Sequence, residues 1–219
     1  MIQQPSESRT QLLTEQDARD YVASLADGLA MERLERFAGL LIEENRRQNL
    51  IARATEGSLW LRHFADSAQL LRHVPRETMA SGEPWLDLGT GAGFPGIVIA
   101  ILRPDWPIRL VESRARRVEF LERARDLIAL PECSILGQRM ETIAPFPSAV
   151  LSARAFAPLD KLLRLSAPFS TKRTVYLLPK GRSAAHELSG QRKAIRAMFH
   201  VEHSLTDPSA GIIVSHTGS

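Results

Sequence analysis

Residues 85–96 read Trp85-Leu-Asp-Leu-Gly89-Thr-Gly91-Ala-Gly93-Phe-Pro-Gly96, a short apolar run passing into a glycine-rich turn. Gly91, Gly93 and Gly96 satisfy the G-x-G-x-x-G spacing, which taken alone is a weak signal. Its physical content is a tight turn, close approach of backbone to a ligand, and helix amides aimed at that ligand. Here the turn leaves a strand-like stretch, Trp85–Leu88. It enters a helical one, Gly96–Leu102, that stops before Pro104. Pro95 fits the first turn of that helix, where its missing N–H costs nothing.

Asp87 separates two classes of nucleoside cofactor. In dinucleotide sites the strand entering the turn is apolar, because a further carboxylate near a pyrophosphate is repulsive. S-adenosylmethionine has no phosphate and carries a positive amino group and a sulfonium. A carboxylate two residues before Gly89 suits that charge pattern, so S-adenosylmethionine is favoured over a nicotinamide or flavin nucleotide. Glu112 closes a second strand, Ile108–Glu112, where an acid accepts hydrogen bonds from both ribose hydroxyls. That role is common to both classes.

Working outward, strands alternate with helices: Ala115–Leu130 helical, Ser134–Leu136, Ala149–Ser152 and Thr174–Leu178 extended, and a helix near Ser183–Ala197. Such alternation indicates parallel strands joined by crossover helices, and Val201–Leu205 with Gly211–Val214 adds two more strands. Upstream the chain reads as helices. Thr14 followed by Glu15, Gln16 and Asp17 resembles a capping box, with Tyr21, Val22, Leu25 and Leu29 on one face. Leu34, Phe37, Ala38 and Leu41 mark a second helix. Trp60, Phe64, Ser67, Leu70, Leu71 and Val74 mark a third, between Gly57-Ser58 and Pro75. The expected organisation is a helical extension over 1–82 and an α/β domain over 83–219. That domain is expected to be a doubly wound, mostly parallel seven-stranded sheet, for which the family resemblance described below implies the Rossmann-like, class I S-adenosylmethionine-dependent methyltransferase form.

The 219 residues, 44% hydrophobic and 24% charged, suffice for one good-sized domain with an appendage. The longest apolar run, Phe94–Leu102, is far too short to span a bilayer, and the polar Met1–Thr10 contains no secretory signal. The single Cys133 cannot form an intramolecular disulfide. A cytoplasmic protein without membrane attachment is expected. The net charge of +3 is bland, but residues 151–200 hold 10 basic residues against two acidic ones. A basic block of this kind fits either a phosphate-rich partner or a solvated face. His200 and His203 are two potential ligands without a third, too few for a zinc site, so no metal is expected. His63, beside an apolar stripe, reads as a packing histidine.

The stretch after the fourth strand distinguishes methyl acceptors. Enzymes acting on exocyclic amines of bases carry Asn/Asp-Pro-Pro-Tyr there, whereas this chain has Leu151-Ser-Ala-Arg-Ala-Phe-Ala-Pro158. Methylation of pyrimidine carbon needs a cysteine nucleophile, and Cys133 lies near the third strand instead. A nucleophile that needs no deprotonation remains, such as guanine N7, methylated by in-line displacement without a covalent intermediate. Catalysis then rests on positioning and electrostatics. Two alternatives stay open: a methyltransferase of this fold acting on another RNA or a small molecule, and a non-enzymatic RNA-binding relative.

The turn Asp87–Gly96 resembles that of the ribosomal RNA small subunit methyltransferase G family, also called glucose-inhibited division protein B. So do Glu112-Ser-Arg-Ala-Arg-Arg-Val-Glu-Phe-Leu121, Ser152-Ala-Arg-Ala-Phe-Ala-Pro-Leu159 and Leu178-Pro-Lys-Gly-Arg182. Asn49-Leu50 and Arg62-His-Phe-Ala-Asp-Ser67 extend the resemblance upstream, although Glu44-Asn45-Arg46 stands where the family often has Trp-Asn-Lys. The resemblance covers about residues 30–182. It implies methylation of guanine N7 in the 530 loop of bacterial 16S ribosomal RNA, with the small ribosomal subunit as partner. The expected cofactor pocket comprises Asp87, Gly89, Gly91, Phe94, Glu112, Met140, Glu141 and Arg154. Within it, Met140 and Glu141 lie at the adenine, and Arg154, the expected catalytic residue, faces the cofactor or the guanine. Lys180 and Arg182, flanking Gly181, and Arg62 are expected RNA contacts. The chain is expected to act as a monomer.

Overall fold

The computed structural model describes residues 11–216, so Met1–Thr10 and what was expected of it lie outside the described residues. Helix α1 (Glu15–Ala23) starts at a capping box: Thr14 Oγ1 accepts from the Asp17 amide at 3.0 Å, and Asp17 Oδ2 accepts from the Thr14 amide at 2.9 Å. Helix α2 (Gly28–Gln48) is capped by Asp27, whose carboxylate accepts from the Ala30 amide, and it ends at Asn49 in the left-handed region. Leu34, Phe37 and Leu41 are buried as their spacing requires. Leu29 is not on the first helix. The break before α2 rotates it outward, and it is 55% exposed.

The expected third helix is not one α-helix. After a 3₁₀ stretch (Arg53–Ser58) that contains Gly57 and Ser58, it is a π-helical segment (Trp60–Ala65), one turn of α-helix, α3 (Asp66–Ala68), and a second 3₁₀ stretch (Gln69–His73). The Glu15 carboxylate accepts from the amides of Trp60 and Leu61 at 3.0 and 2.8 Å, so a side chain of α1 satisfies two donors that would open the helix. Trp60, Phe64, Ser67, Leu70 and Val74 are nevertheless buried. After Pro75 comes the short α4 (Arg76–Met79).

The α/β part follows as β1 (Trp85–Leu88), α5 (Gly96–Leu102), β2 (Ile108–Val111), α6 (Ala115–Leu127), β3 (Cys133–Leu136), β4 (Val150–Ser152), α7 (Leu159–Ser166), β5 (Val175–Gly181), α8 (Ala184–Ser189), α9 (Lys193–Arg196), β6 (Phe199–His203) and β7 (Gly211–Ser215). Helix α6 ends earlier than expected because Ala129, with φ 51°, turns the chain into the left-handed region. The single helix expected over 183–197 is two short ones. The sheet order is β3-β2-β1-β4-β5-β7-β6, parallel from β3 to β5, with β7 antiparallel to both neighbours. The order reverses between β1 and β4. In open α/β sheets, ligands bind in the crevice outside the carboxyl ends of the strands at such a point.

Strand alternation divides the core. Trp85, Ile108 and Val150 face a cluster that also contains Phe37, Leu41, Phe64 and Ile97, so helical extension and sheet bury one continuous apolar mass. Leu86, Leu88, Leu151 and Leu178 face the opposite layer. Polar ties reinforce the first contact. Glu44 pairs with Arg123 at 2.5 Å, and Gln69 Oε1 accepts from the Leu205 amide at 2.7 Å. Among the described residues, no helix is long and apolar enough to cross a membrane.

Candidate cofactor and acceptor site

At the end of β1 the chain turns through Gly89, with φ 64°, a conformation that L side chains rarely adopt. A Cβ there would also collide with the Phe156 ring. Gly96 is held by proximity instead: a Cβ would meet Leu110 and lie 2.9 Å from an Asp87 oxygen. Pro95 precedes α5 as its N-cap rather than standing in its first turn.

Asp87 is fully buried beneath this turn. Its Oδ2 accepts from the Gly96 amide at 3.0 Å and its Oδ1 from the Ser152 hydroxyl at 2.7 Å, while Ser152 accepts from the Trp85 indole at 2.7 Å. Burial raises its pKa, opposed by these hydrogen bonds and by the charge of Arg154. The carboxylate therefore braces β1, β4 and the start of α5 from below, and both its oxygens are engaged by the protein. Phe94 also points away from the crevice. Its ring, 2% exposed, packs with Phe37, Phe64 and His63 at 5.6, 5.9 and 5.0 Å between centroids.

A cavity of about 460 Å³ opens over the carboxyl ends of β1, β2 and β3. It brings together Gly89, Glu112, Met140 and Glu141, four of the residues expected from sequence. Glu112 is held by its own loop: Oε1 accepts from the amides of Ser113 and Arg114 at 2.8 and 2.9 Å, and Oε2 lies 3.6 Å from Arg117. Gly91 is not part of this lining, but a Cβ on it would lie 3.5 Å from the Arg117 guanidinium.

A larger cavity, about 930 Å³, opens over β4, β5 and the β6–β7 loop, against the π-helical segment and α3. Both cavities are lined by Ala155, Phe156 and Ala157 from the loop after β4, so that loop is their common wall. Arg154 lies on the side of the larger one. Its guanidinium stands 4.9 Å above the Phe94 ring, 3.5 Å from an Asp66 oxygen and 3.3 Å from His63 Nδ1. His63 Nε2 lies 2.8 Å from Thr55 Oγ1, whose hydroxyl donates to the Ala52 carbonyl. Thr55 therefore accepts from Nε2–H, and Nδ1 is left to accept from Arg154. Burial, then the charges of Arg154 and Arg62, push the His63 pKa down to about 3, so the packing histidine expected from sequence is also a neutral acceptor for Arg154.

Lys180, one of the expected RNA contacts, is engaged within the protein. Its Nζ donates to the Ala157 carbonyl at 2.6 Å and pairs with Glu187 at 3.0 Å, and its side chain is only 6% exposed. It ties β5 to the shared wall and, with its charge paired to Glu187, lines the larger cavity. Arg62 pairs with Asp207 at 3.3 Å on the rim of the larger cavity. Arg182 is exposed and donates to Ser209 Oγ. Cys133 is buried on β3, its thiol pushed up to about 12 by desolvation. Among the described residues, no group of three or more His, Cys, Asp or Glu is placed to hold a metal ion.

Reading the sequence missed Asp66, Phe156 and Asp207. Asp66 stands in the quoted stretch 62–67, where Arg62, His63 and Asp66 interrupt an apolar stripe, the one signal that could have found it.

The family model described as rRNA small subunit methyltransferase G matches residues 30–210. The chain is 51% identical over 203 residues to "Ribosomal RNA small subunit methyltransferase G" of Erythrobacter litoralis, covering 93% of this chain and 96% of that one. The protein of the same name from Novosphingobium aromaticivorans is 53% identical over 205 residues, covering 93% and 88%. Among solved structures, a SAM-dependent methyltransferase from Aquifex aeolicus superposes with a TM-score of 0.51 at 13% identity, over 74% of this chain and 93% of that one. At that identity the likeness speaks for the fold alone.

Proposed function

The chain belongs to the rRNA small subunit methyltransferase G family, and from that premise we propose that it transfers a methyl group from S-adenosylmethionine to guanine N7 in the 530 loop of 16S ribosomal RNA. It acts as a monomer in the cytoplasm, on the small ribosomal subunit, with residues 1–82 as the helical extension and 83–219 as the methyltransferase domain. The observation that carries the reading is the smaller cavity. It sets Gly89, Glu112, Met140 and Glu141 around one crevice at the carboxyl ends of β1–β3.

The residues present fit the nucleoside part of this cofactor. Glu112 lines the cavity, with Oε1 fixed by its own loop and Oε2 3.6 Å from Arg117. Met140 supplies an apolar wall for a purine ring, and the absent side chain at Gly89 lets a ligand approach the backbone closely. When bound, S-adenosylmethionine supplies a methyl group on a positively charged sulfur, which the N7 lone pair displaces in line. N7 carries no proton, so no residue must serve as a base, and the chain contributes orientation and charge. Asp87 acts from beneath, holding the turn to β4 through Ser152. Arg154, fixed by Phe94, Asp66 and His63, is the catalytic residue beside the shared wall. Arg62 and Arg182, on the rim and beyond it, meet RNA phosphates, giving salt-dependent affinity without sequence information.

The test is transfer of tritiated methyl from S-adenosylmethionine to small ribosomal subunits of an unmethylated strain, followed by nucleoside analysis. Labelled 7-methylguanosine is expected. No incorporation, with cofactor binding intact, would move the substrate elsewhere.

A further inference from the structure

Asp66 and Arg154 stand together in the wall of the larger cavity. Asp66 Oδ1 is occupied from the side of the protein: the Thr206 hydroxyl and Gln69 Nε2 each donate to it at 2.9 Å. That pair of bonds fixes the carboxylate plane and turns Oδ2 toward Arg154, 3.5 Å away. Both side chains line the cavity and are about a fifth to a quarter exposed. A strong donor and a strong acceptor thus stand side by side, held rigidly, next to the wall shared with the cofactor cavity.

We propose that Asp66 is the specificity-determining residue for the acceptor base, accepting from guanine N1–H while Arg154 donates to guanine O6; this rests on the guanine-N7 reading above. Along one side of guanine, N7, O6 and N1–H follow one another as acceptor, acceptor and donor. With N7 at the shared wall, where the methyl must arrive, O6 falls to Arg154 and N1–H to Asp66. Adenine offers the same N7, but then the N6 amino group and the bare N1. It would set donor against guanidinium and lone pair against carboxylate, so both of its contacts to this pair would be repulsive. Sites built on such polar pairs discriminate strongly, because the wrong partner leaves desolvated groups without bonds. The guanine 2-amino group is not required by this pairing.

The test uses small subunits reconstituted with guanosine, inosine or adenosine at the target position, assayed for methyl transfer by the wild-type chain, Asp66→Asn and Asp66→Glu. Inosine keeps O6 and N1–H, so the wild type should accept it within a fewfold of guanosine and reject adenosine. Asp66→Asn should lower kcat/KM on guanosine by about a hundredfold and shrink the guanosine-to-adenosine ratio by at least about tenfold. Its affinity for S-adenosylmethionine, measured calorimetrically, should not change, and Asp66→Glu should recover part of the ratio. Rejection of inosine by the wild type, or a ratio unchanged in Asp66→Asn, overturns the proposal. If the wild type labels no guanosine at all, the guanine reading falls and takes this inference with it.

Discussion

The crevice outside the sheet has two halves that are built differently. Over β1–β3 the smaller cavity is assembled from short local stretches: the turn at 89–96, Glu112 with its own loop, and Met140-Glu141. Over β4, β5 and β7 the larger one is assembled from segments far apart in sequence. Arg154 meets His63 across 91 residues, Thr206 meets Asp66 across 140, and Arg62 meets Asp207 across 145. A half made of local motifs can be shared by many methyltransferases, because each motif carries its geometry with it. A half made of distant contacts depends on the docking of the helical extension, and this is where choice of acceptor can be built without disturbing the cofactor.

The sharpest way to break this division is to remove Arg154. Arg154→Ala should lower turnover by about 10²–10³-fold, the cost of losing one preorganised charged donor, while calorimetric affinity for S-adenosylmethionine stays within a fewfold of wild type. Weakened cofactor binding of the same size would mean that the halves are not separate. The reciprocal change, Glu112→Gln, should weaken cofactor binding by about 10-fold to 100-fold, since a hydrogen bond to a charged group contributes about 1.5–3 kcal/mol. Turnover at saturating cofactor should remain close to normal in a steady-state assay.

How far each half could be read from sequence follows from the same contrast. The glycine turn, Glu112 and all seven strands were legible, because a turn needs particular backbone angles and a strand needs particular alternation, both local requirements. The capping box at Thr14 was legible for the same reason. Asp87 stands out in the sequence, but the direction of its carboxylate does not. Whether a strand-end carboxylate faces a crevice or the layer beneath depends on the Ser152 hydroxyl, 65 residues away. Lys180 read as a free charge in a glycine loop and is instead neutralised by Glu187 under the shared wall. The π-helical segment was invisible, since its opening amides are satisfied by Glu15, 45 and 46 residues upstream.

Two smaller effects sharpen the account. His63, with its pKa near 3 in the folded chain against 6.5 in the reference state, refuses a proton that the unfolded chain accepts. Its contribution to stability is therefore complete above about pH 6.5 and is lost as pH falls toward 3. Urea midpoints measured at pH 7.5 and pH 5 should show wild type losing stability on acidification, and His63→Asn should lose less. An equal loss in the variant would place the acid sensitivity in other groups. On the rim, Arg182→Ala should weaken RNA binding only a fewfold and reduce the slope of log affinity against log salt by about one, read from filter binding across a salt series. A change confined to turnover, with the slope intact, would place Arg182 in the chemistry instead.

The central claim, that cofactor and acceptor occupy opposite sides of the loop 155–157, is most directly tested by photolabelling with 8-azido-S-adenosylmethionine and mapping the labelled peptide. The account predicts label in the peptide carrying Met140 and Glu141, quenched by excess S-adenosylmethionine. Label on the segment Arg62–Asp66, or around Asp207, would contradict it.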